Sequence, residues 1–203
     1  MAPGSAPGDY PSLHPVALHG ERVSLREVGP DDAVAALAWA GDPRFFRYMA
    51  VEPVGSVAEE AEVLRAMQED AYARPRVQYH LGVVERSGDE LIGMVRLGIV
   101  APRFRGADLG YGLRADRWRQ GLTPEAVELV LGFGFEQLGL HRIAAVCDPN
   151  NVGSRRVMEK VGMQPEGRLR QDMRSQGKWR DSLAYAILED EWRAGRSAEG
   201  TRH

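Results

Sequence analysis

One six-residue run constrains this chain more than any other. Arg142–Cys147 reads RIAAVC, apolar throughout after its arginine. A strand that is apolar on both faces has to be covered on both, so it belongs at the middle of a sheet with helices packed over it. The other segments supply the layers. Val23–Glu27 alternates apolar and polar residues and predicts a strand. Residues 79–85 and 91–100, separated by Arg86, Ser87, Gly88, Asp89 and Glu90, predict a hairpin. Residues 108–113 (DLGYGL), 164–170 and 183–188 predict three more strands.

Four helices fall between them. Pro30, Asp31 and Asp32 open the first, with Val34, Leu37 and Ala38 on one face, and Gly41 stops it. Ser56 and Glu59 form a capping box for the second, which carries Val63, Leu64 and Met67 inward and ends near Ala73. Residues 124–138 and 154–161 predict the third and fourth, the last stopped by Gly162. The order β-α-α-β-β-β-α-β-α-β-β describes an α/β fold, a mixed sheet with helices on its faces.

A length of 203 residues suits one domain with tails. Residues 1–16, rich in Pro, Gly and Ser, predict a flexible arm. Residues 17–193 form the domain, and the polar residues 194–203 a tail. A net charge of -3 argues against a nucleic-acid binder, which needs a positive excess to neutralise phosphates. The single cysteine, Cys147, excludes a disulfide framework and a multi-cysteine zinc site, and fits a reducing, cytoplasmic setting. His14, His19, His80, His141 and His203 are not spaced as metal ligands, and no metal is expected. No apolar run reaches the ~20 residues of a bilayer span, so no membrane partner is expected. Residues 1–8 (MAPGSAPG) lack the basic and apolar regions of a secretory signal.

The chemistry concentrates between residues 108 and 162. A glycine-bearing loop, Trp118-Arg119-Gln120-Gly121-Leu122-Thr123, leads from a strand into a helix that starts Pro124-Glu125-Ala126. Such a loop aims several backbone N–H groups at one point, and the helix dipole adds positive potential there, a geometry that binds phosphate or pyrophosphate. Taken alone, these residues read more readily as a plain turn. The P-loop pattern and the Rossmann fingerprint are both absent.

Several separated motifs change that balance. The strand 108–113, the loop from Trp118 to Ala126, His141-Arg142-Ile143, the run from Asn151 to Met163, and residues 166–168 and 177–181 stand in one order. Together they resemble the GNAT N-acetyltransferase superfamily, and within it the ribosomal-protein-alanine N-acetyltransferase (Rim) type, over about residues 20–192. Arg119 stands where a glycine is usual, Thr123-Pro124 where Ala-Thr is usual, and Met163 where Phe is usual.

The resemblance implies a mixed, mostly antiparallel sheet, splayed between the fourth strand (108–113) and the fifth (Arg142–Cys147) and flanked by helices. It implies acetyl-CoA as co-substrate. The pantetheine arm would lie in the gap against Tyr111, Gly112 and Leu113, with Gly110 and Gly112 allowing close approach and a bulge that frees one N–H for the thioester carbonyl. The pyrophosphate would sit on the loop Trp118, Arg119, Gln120, Gly121, Leu122 and Thr123. Asn151 and Ser154 would flank the pantetheine end, and Arg155 or Arg156 would reach the nucleotide phosphates.

Many members place an acidic tyrosine at the position of Met158, which cannot donate a proton. In the Rim type a serine of the N-x-x-S segment takes that role, here Ser154; its alternative reading is a helix cap. Asp108 is the candidate base, ahead of Glu166 and Asp172; its alternative reading is a surface carboxylate. Cys147 reads as a buried small hydrophobe, and Trp179 and Tyr185 read as core aromatics, with an acceptor site as their alternative. The activity implied is acetyl transfer by direct attack of a primary amine, either a protein N-terminus or a small molecule such as an antibiotic, in a ternary complex. A non-catalytic acyl-CoA-binding regulatory module is the second reading. The chain is expected to be a monomer or a homodimer.

Overall fold

The structure, a computed structural model, describes residues 10–49, 53–175 and 177–200. Eight strands form one sheet: β1 (Ala17–His19), β2 (Val23–Glu27), β3 (Gln78–Glu85), β4 (Glu90–Ala101), β5 (Gly106–Leu113), β6 (Arg142–Cys147), β7 (Gln164–Ser175) and β8 (Lys178–Leu188). Their order is β1-β2-β3-β4-β5-β6-β8-β7. Every neighbouring pair is antiparallel except β5 and β6, which are parallel.

One face of the sheet carries α1 (Ala33–Ala40), α2 (Pro43–Phe46) and α3 (Val57–Tyr72). The other carries α4 (Leu122–Gly132), which widens into a π turn at Phe133–Gln137, and α5 (Val152–Lys160). Two apolar clusters result. Val23, Leu25, Leu81, Leu97, Val127 and Leu131 belong to the cluster under α4, and each is essentially sealed from solvent. Full burial of such a side chain contributes roughly 1.5–3 kcal/mol. Under α1 and α3, the buried face of α1 is Ala33, Ala36, Trp39 and Ala40. Val34, expected to face inward, is 73% exposed, because the large Trp39 ring sets which side of this short helix turns to the sheet.

The chain ends differ from expectation. Residues 1–9 of the expected flexible arm lie outside the described residues, but 10–16 pack on the sheet. Tyr10 and Val16 are buried, and the Tyr10 hydroxyl donates to the Pro102 carbonyl at 2.7 Å. Arg76 is fully buried and explains the docking. It forks onto Glu27 at 2.8 and 3.0 Å, donates to the Leu13 carbonyl at 2.7 Å, and lies 4.1 Å from the centre of the Tyr79 ring. Removing one partner from a buried pair of this kind costs about 3–5 kcal/mol. At the other end, α6 (Glu189–Gly200) occupies most of the expected tail. The two closing strands are longer than expected and join as one hairpin. β7 is an edge strand blunted by Pro165 and by register shifts, so it resists pairing with another edge.

The sheet splays where its one parallel pair runs out. β5 and β6 are in register only at Gly106↔Arg142, Ala107↔Ile143 and Asp108↔Ala144. Beyond that point β5 continues to Leu113 and β6 to Cys147 without pairing, and a wedge opens between them.

Candidate active site

The wedge exposes backbone. Arg114 donates to the Ile92 carbonyl at 2.8 Å. In an antiparallel pair hydrogen-bonding residues alternate, so Asp108, Gly110 and Gly112 turn their N–H and C=O groups toward β4. Tyr111 and Leu113 turn theirs the other way, into the wedge. The Leu113 carbonyl is taken by the indole N–H of Trp118 at 2.7 Å. The N–H and C=O of Tyr111 and the N–H of Leu113 therefore face the opening. The expected bulge is not formed: β4 and β5 pair without a break from Gly93↔Leu113 to Ile99↔Ala107. Strand alternation alone supplies the free donors. Gly112 contributes space instead, since a Cβ there would strike Phe45 at 2.5 Å.

At the wide end of the wedge lies the glycine-bearing loop. Arg119 and Gly121 both adopt left-handed backbone, with φ of 61° and 79°. For a non-glycine residue such as Arg119 this costs about 1–2 kcal/mol, and it persists only where the surroundings hold it. They do so here. Gln120 Nε2 donates to the Asp116 carbonyl at 2.9 Å, Arg22 Nη1 donates to the Gln120 carbonyl at 2.8 Å, and Leu122 is buried. Alternating left-handed residues ahead of a helix start make a concavity of N–H groups suited to an anion. Arg119 is exposed and forms no ion pair among the described residues.

Across the wedge stands α5. It begins at Val152, not at Ser154 as expected, and Asn151 caps it by accepting the Ser154 N–H at 3.1 Å. Ser154 is thus in the first turn with its hydroxyl uncommitted to capping. That hydroxyl lies 3.0 Å from the Tyr111 phenol, which is also 3.0 Å from the Ser154 carbonyl. Burial pushes the Tyr111 phenol well up, with the Ser154 hydrogen bond acting against it. Burial likewise pushes up the Cys147 thiol, which is buried in β6 beside them. Met158 is fully buried, one turn beyond Ser154 on the same face of α5. Arg155 leans toward Glu159 at 3.7 Å, whereas Arg156 is exposed.

Asp108 sits at the vertex of the wedge, the last residue of β5 paired with β6. It is an odd number of residues from Tyr111, so its side chain lies on the opposite face, the side of α1 and α2. Arg96, its diagonal neighbour on β4, donates to Oδ2 and also to Gln78 Oε1 at 3.0 Å. Asp108 Oδ1 is buried without a partner, over Gly98, where a Cβ would strike it. Phe45 and Met49 pack on the same face at Gly112, and Ser175 donates to the Met49 carbonyl at 2.8 Å, closing that side with the β7–β8 hairpin.

The other sequence candidates scatter. Glu166 is bound by Arg142, and Tyr185 is a core residue whose hydroxyl donates to Glu159 at 3.2 Å. Trp179 is no core aromatic: it is 62% exposed, because the hairpin extends beyond the sheet. Arg22, Arg96 and the buried Asp148, which accepts from Asn150 at 2.8 Å, escaped sequence reasoning. Only the Asp-Pro-Asn turn pattern around Asp148 carried a signal.

Known proteins agree with this layout. Residues 22–164 match the acetyltransferase (GNAT) domain family. The uncharacterized N-acetyltransferase YoaA of Bacillus subtilis (strain 168) is 31% identical over 172 residues, 85% of this chain and 96% of that protein. The [ribosomal protein uS5]-alanine N-acetyltransferase of Escherichia coli (strain K12) is 27% identical over 120 residues, 58% of this chain and 61% of that one. The structure of Mycobacterium smegmatis RimJ in complex with CoA-disulfide superposes with a TM-score of 0.81 at 25% identity, covering 90% of this chain and 91% of that chain. With a splayed sheet, a glycine-bearing loop ahead of α4 and a family match across most of its length, this chain belongs to the GNAT acetyltransferase family.

Proposed function

We infer that the protein transfers an acetyl group from acetyl-CoA to a primary amine by direct attack in a ternary complex. The observation that carries this reading is the wedge itself, with unpaired β5 backbone along one wall and the Tyr111–Ser154 contact spanning it. The residues present fit the coenzyme. An extended arm carrying amides finds the N–H and C=O of Tyr111 and the N–H of Leu113, and an anion finds the loop from Trp118 to Thr123. Asn151 and Ser154 border the arm, and Arg119, Arg155 and Arg156 supply positive charge near the loop and α5. When bound, acetyl-CoA supplies an activated thioester.

The chain's own groups then divide the proton work between the two faces of β5. Asp108, on the side of α1 and α2, accepts a proton from the incoming ammonium, directly or through water. Ser154 Oγ, steered by Tyr111 on the α5 side, holds the proton that a departing thiolate requires. An α-amino acceptor, with a pKa near 8, needs only a weak base. That favours a protein N-terminus over a small-molecule amine.

The test is release of free CoA thiol from acetyl-CoA with a panel of N-terminal peptides, polyamines and aminoglycosides. A turnover signal with at least one amine, reduced roughly 10²-fold by Asp108→Asn, is expected. CoA binding without turnover on any amine would favour the non-catalytic acyl-CoA-binding module.

A further inference from the structure

We propose that Arg22 is a positioning residue that locks the Gln120–Gly121 peptide in the orientation an anion requires, with Glu125 holding Arg22 in place. The inference rests on reading the loop as the pyrophosphate cradle. Arg22 lies just ahead of β2, about a hundred residues before the loop, and no sequence motif joins them.

The contacts form a closed circuit. Glu125, in the first turns of α4, turns its carboxylate away from its own helix. Oε1 accepts the backbone N–H of Arg22 at 2.7 Å and of Val23 at 3.2 Å, and Oε2 accepts Arg22 Nε at 3.2 Å. The guanidinium, so anchored, donates from Nη1 to the Gln120 carbonyl at 2.8 Å. Burial works against charge on Glu125, yet these hydrogen bonds hold it below the usual carboxylate range.

The peptide geometry makes that one bond consequential. A trans peptide is planar, with its C=O and N–H on opposite sides. Fixing the Gln120 oxygen on Arg22 therefore fixes the Gly121 N–H on the far side. Gly121, at φ 79°, occupies a conformation from which a glycine can rotate at little steric cost. Without a clamp the peptide is free to flip, and a flip would aim a carbonyl oxygen at the anion instead of an N–H. The glycine that lets the loop form also makes it ambiguous, and Arg22 removes the ambiguity.

The experiment measures CoA binding by titration calorimetry and turnover with two donors, acetyl-CoA and an acetyl thioester of N-acetylcysteamine, which has no pyrophosphate. Arg22→Met is expected to weaken CoA about 5- to 10-fold, the worth of one hydrogen bond, and to raise KM for acetyl-CoA with kcat unchanged. kcat/KM for the short thioester should stay at the parent value. Arg22→Lys, which keeps a donor near the carbonyl, should recover part of the affinity, and it serves if the methionine variant does not fold. Parent-like CoA affinity in both variants would overturn the lock. So would an equal loss with both donors, which would make Arg22 a purely structural residue. A parent protein that uses the short thioester but shows no affinity for CoA would remove the cradle reading itself, and the lock with it.

Discussion

The phenolic oxygen of Tyr111 lies 3.0 Å from both the hydroxyl and the carbonyl oxygen of Ser154, bridging β5 and α5 across the wedge. The phenol has one proton for two acceptors. If it goes to the carbonyl, the serine hydroxyl donates to the phenol. If it goes to the hydroxyl, the serine proton is released to another acceptor, with the Cys147 thiol, to which the hydroxyl also hydrogen-bonds, competing for it. The second arrangement is the one in which Ser154 would donate toward a leaving group, as proposed.

Ser154→Ala should therefore lower kcat roughly 10²-fold with little change in CoA affinity. Tyr111→Phe should lower kcat by a smaller factor, since it loosens the serine without removing it. The double variant should be no slower than Ser154→Ala alone, because the two act as one unit. Steady-state kinetics on the three variants checks this. Additive losses would separate the two residues, and an intact kcat in Ser154→Ala would leave the hydroxyl without a role.

Gly121→Asp should weaken CoA binding at least tenfold. Two effects add. The aspartate backbone must adopt a φ near 79°, at about 1–2 kcal/mol, and its Cβ would lie 3.1 Å from Arg22 Nη2, inviting the new carboxylate to draw the guanidinium off Gln120. Gly121→Ala carries the strain alone and should fall between parent and aspartate. Calorimetry showing unchanged affinity in both would take the loop out of the site.

Met158→Tyr should not create an acid, although many relatives in the superfamily use a tyrosine at that position. Met158 is sealed in the core under α5. A larger ring there overpacks, at about 1–3 kcal/mol. Urea unfolding should show the loss, and the same change in a Ser154→Ala background should restore no activity. Recovery of turnover would mean that a phenol at this position reaches the wedge.

His80, on β3 beside Arg96, predicts a pH-dependent stability. Burial lowers its pKa from the ordinary 6.5, outweighing the raising effect of Asp70 at 3.2 Å, and Arg96 and Arg76 add to the lowering. In the window from 6.5 down to the folded value, the unfolded chain binds more protons than the folded one, so stability rises with pH there. The contribution is full above 6.5 and is lost as pH falls. His80→Gln should flatten the drop in Tm between about pH 7.5 and 5.5. An unchanged slope would assign the drop to other groups.

The order of strands and helices was legible along the chain, because periodicity and turn residues act locally. The apolar strand Arg142–Cys147 does lie inside the sheet, between β5 and β8, but it is covered on one face only: Ile143, Ala145 and Cys147 are buried, whereas Val146 is 50% exposed. The loop from Trp118 to Thr123 was legible as a glycine-bearing turn ahead of a helix start; its reading as an anion site came from the company of several separated motifs, not from the loop alone. What required the tertiary structure was every relationship between strands that do not follow one another. Residues 10–16 looked free by composition, yet Arg76 and Glu27 hold them. The free donors of β5 were expected from a bulge at its glycines; they arise because β6 departs after Asp108, which no property of β5 itself reveals. Ser154 could be read as cap or acid; the fold gave the cap to Asn151 and set the serine hydroxyl against Tyr111. Asp108 acquires Arg96, and Gln120 acquires Arg22, only through sheet register and helix docking. Sequence fixes local conformation because its energies act between near neighbours; it leaves the partners of each polar group open, since these are chosen by contacts whose separation along the chain carries no periodic signal.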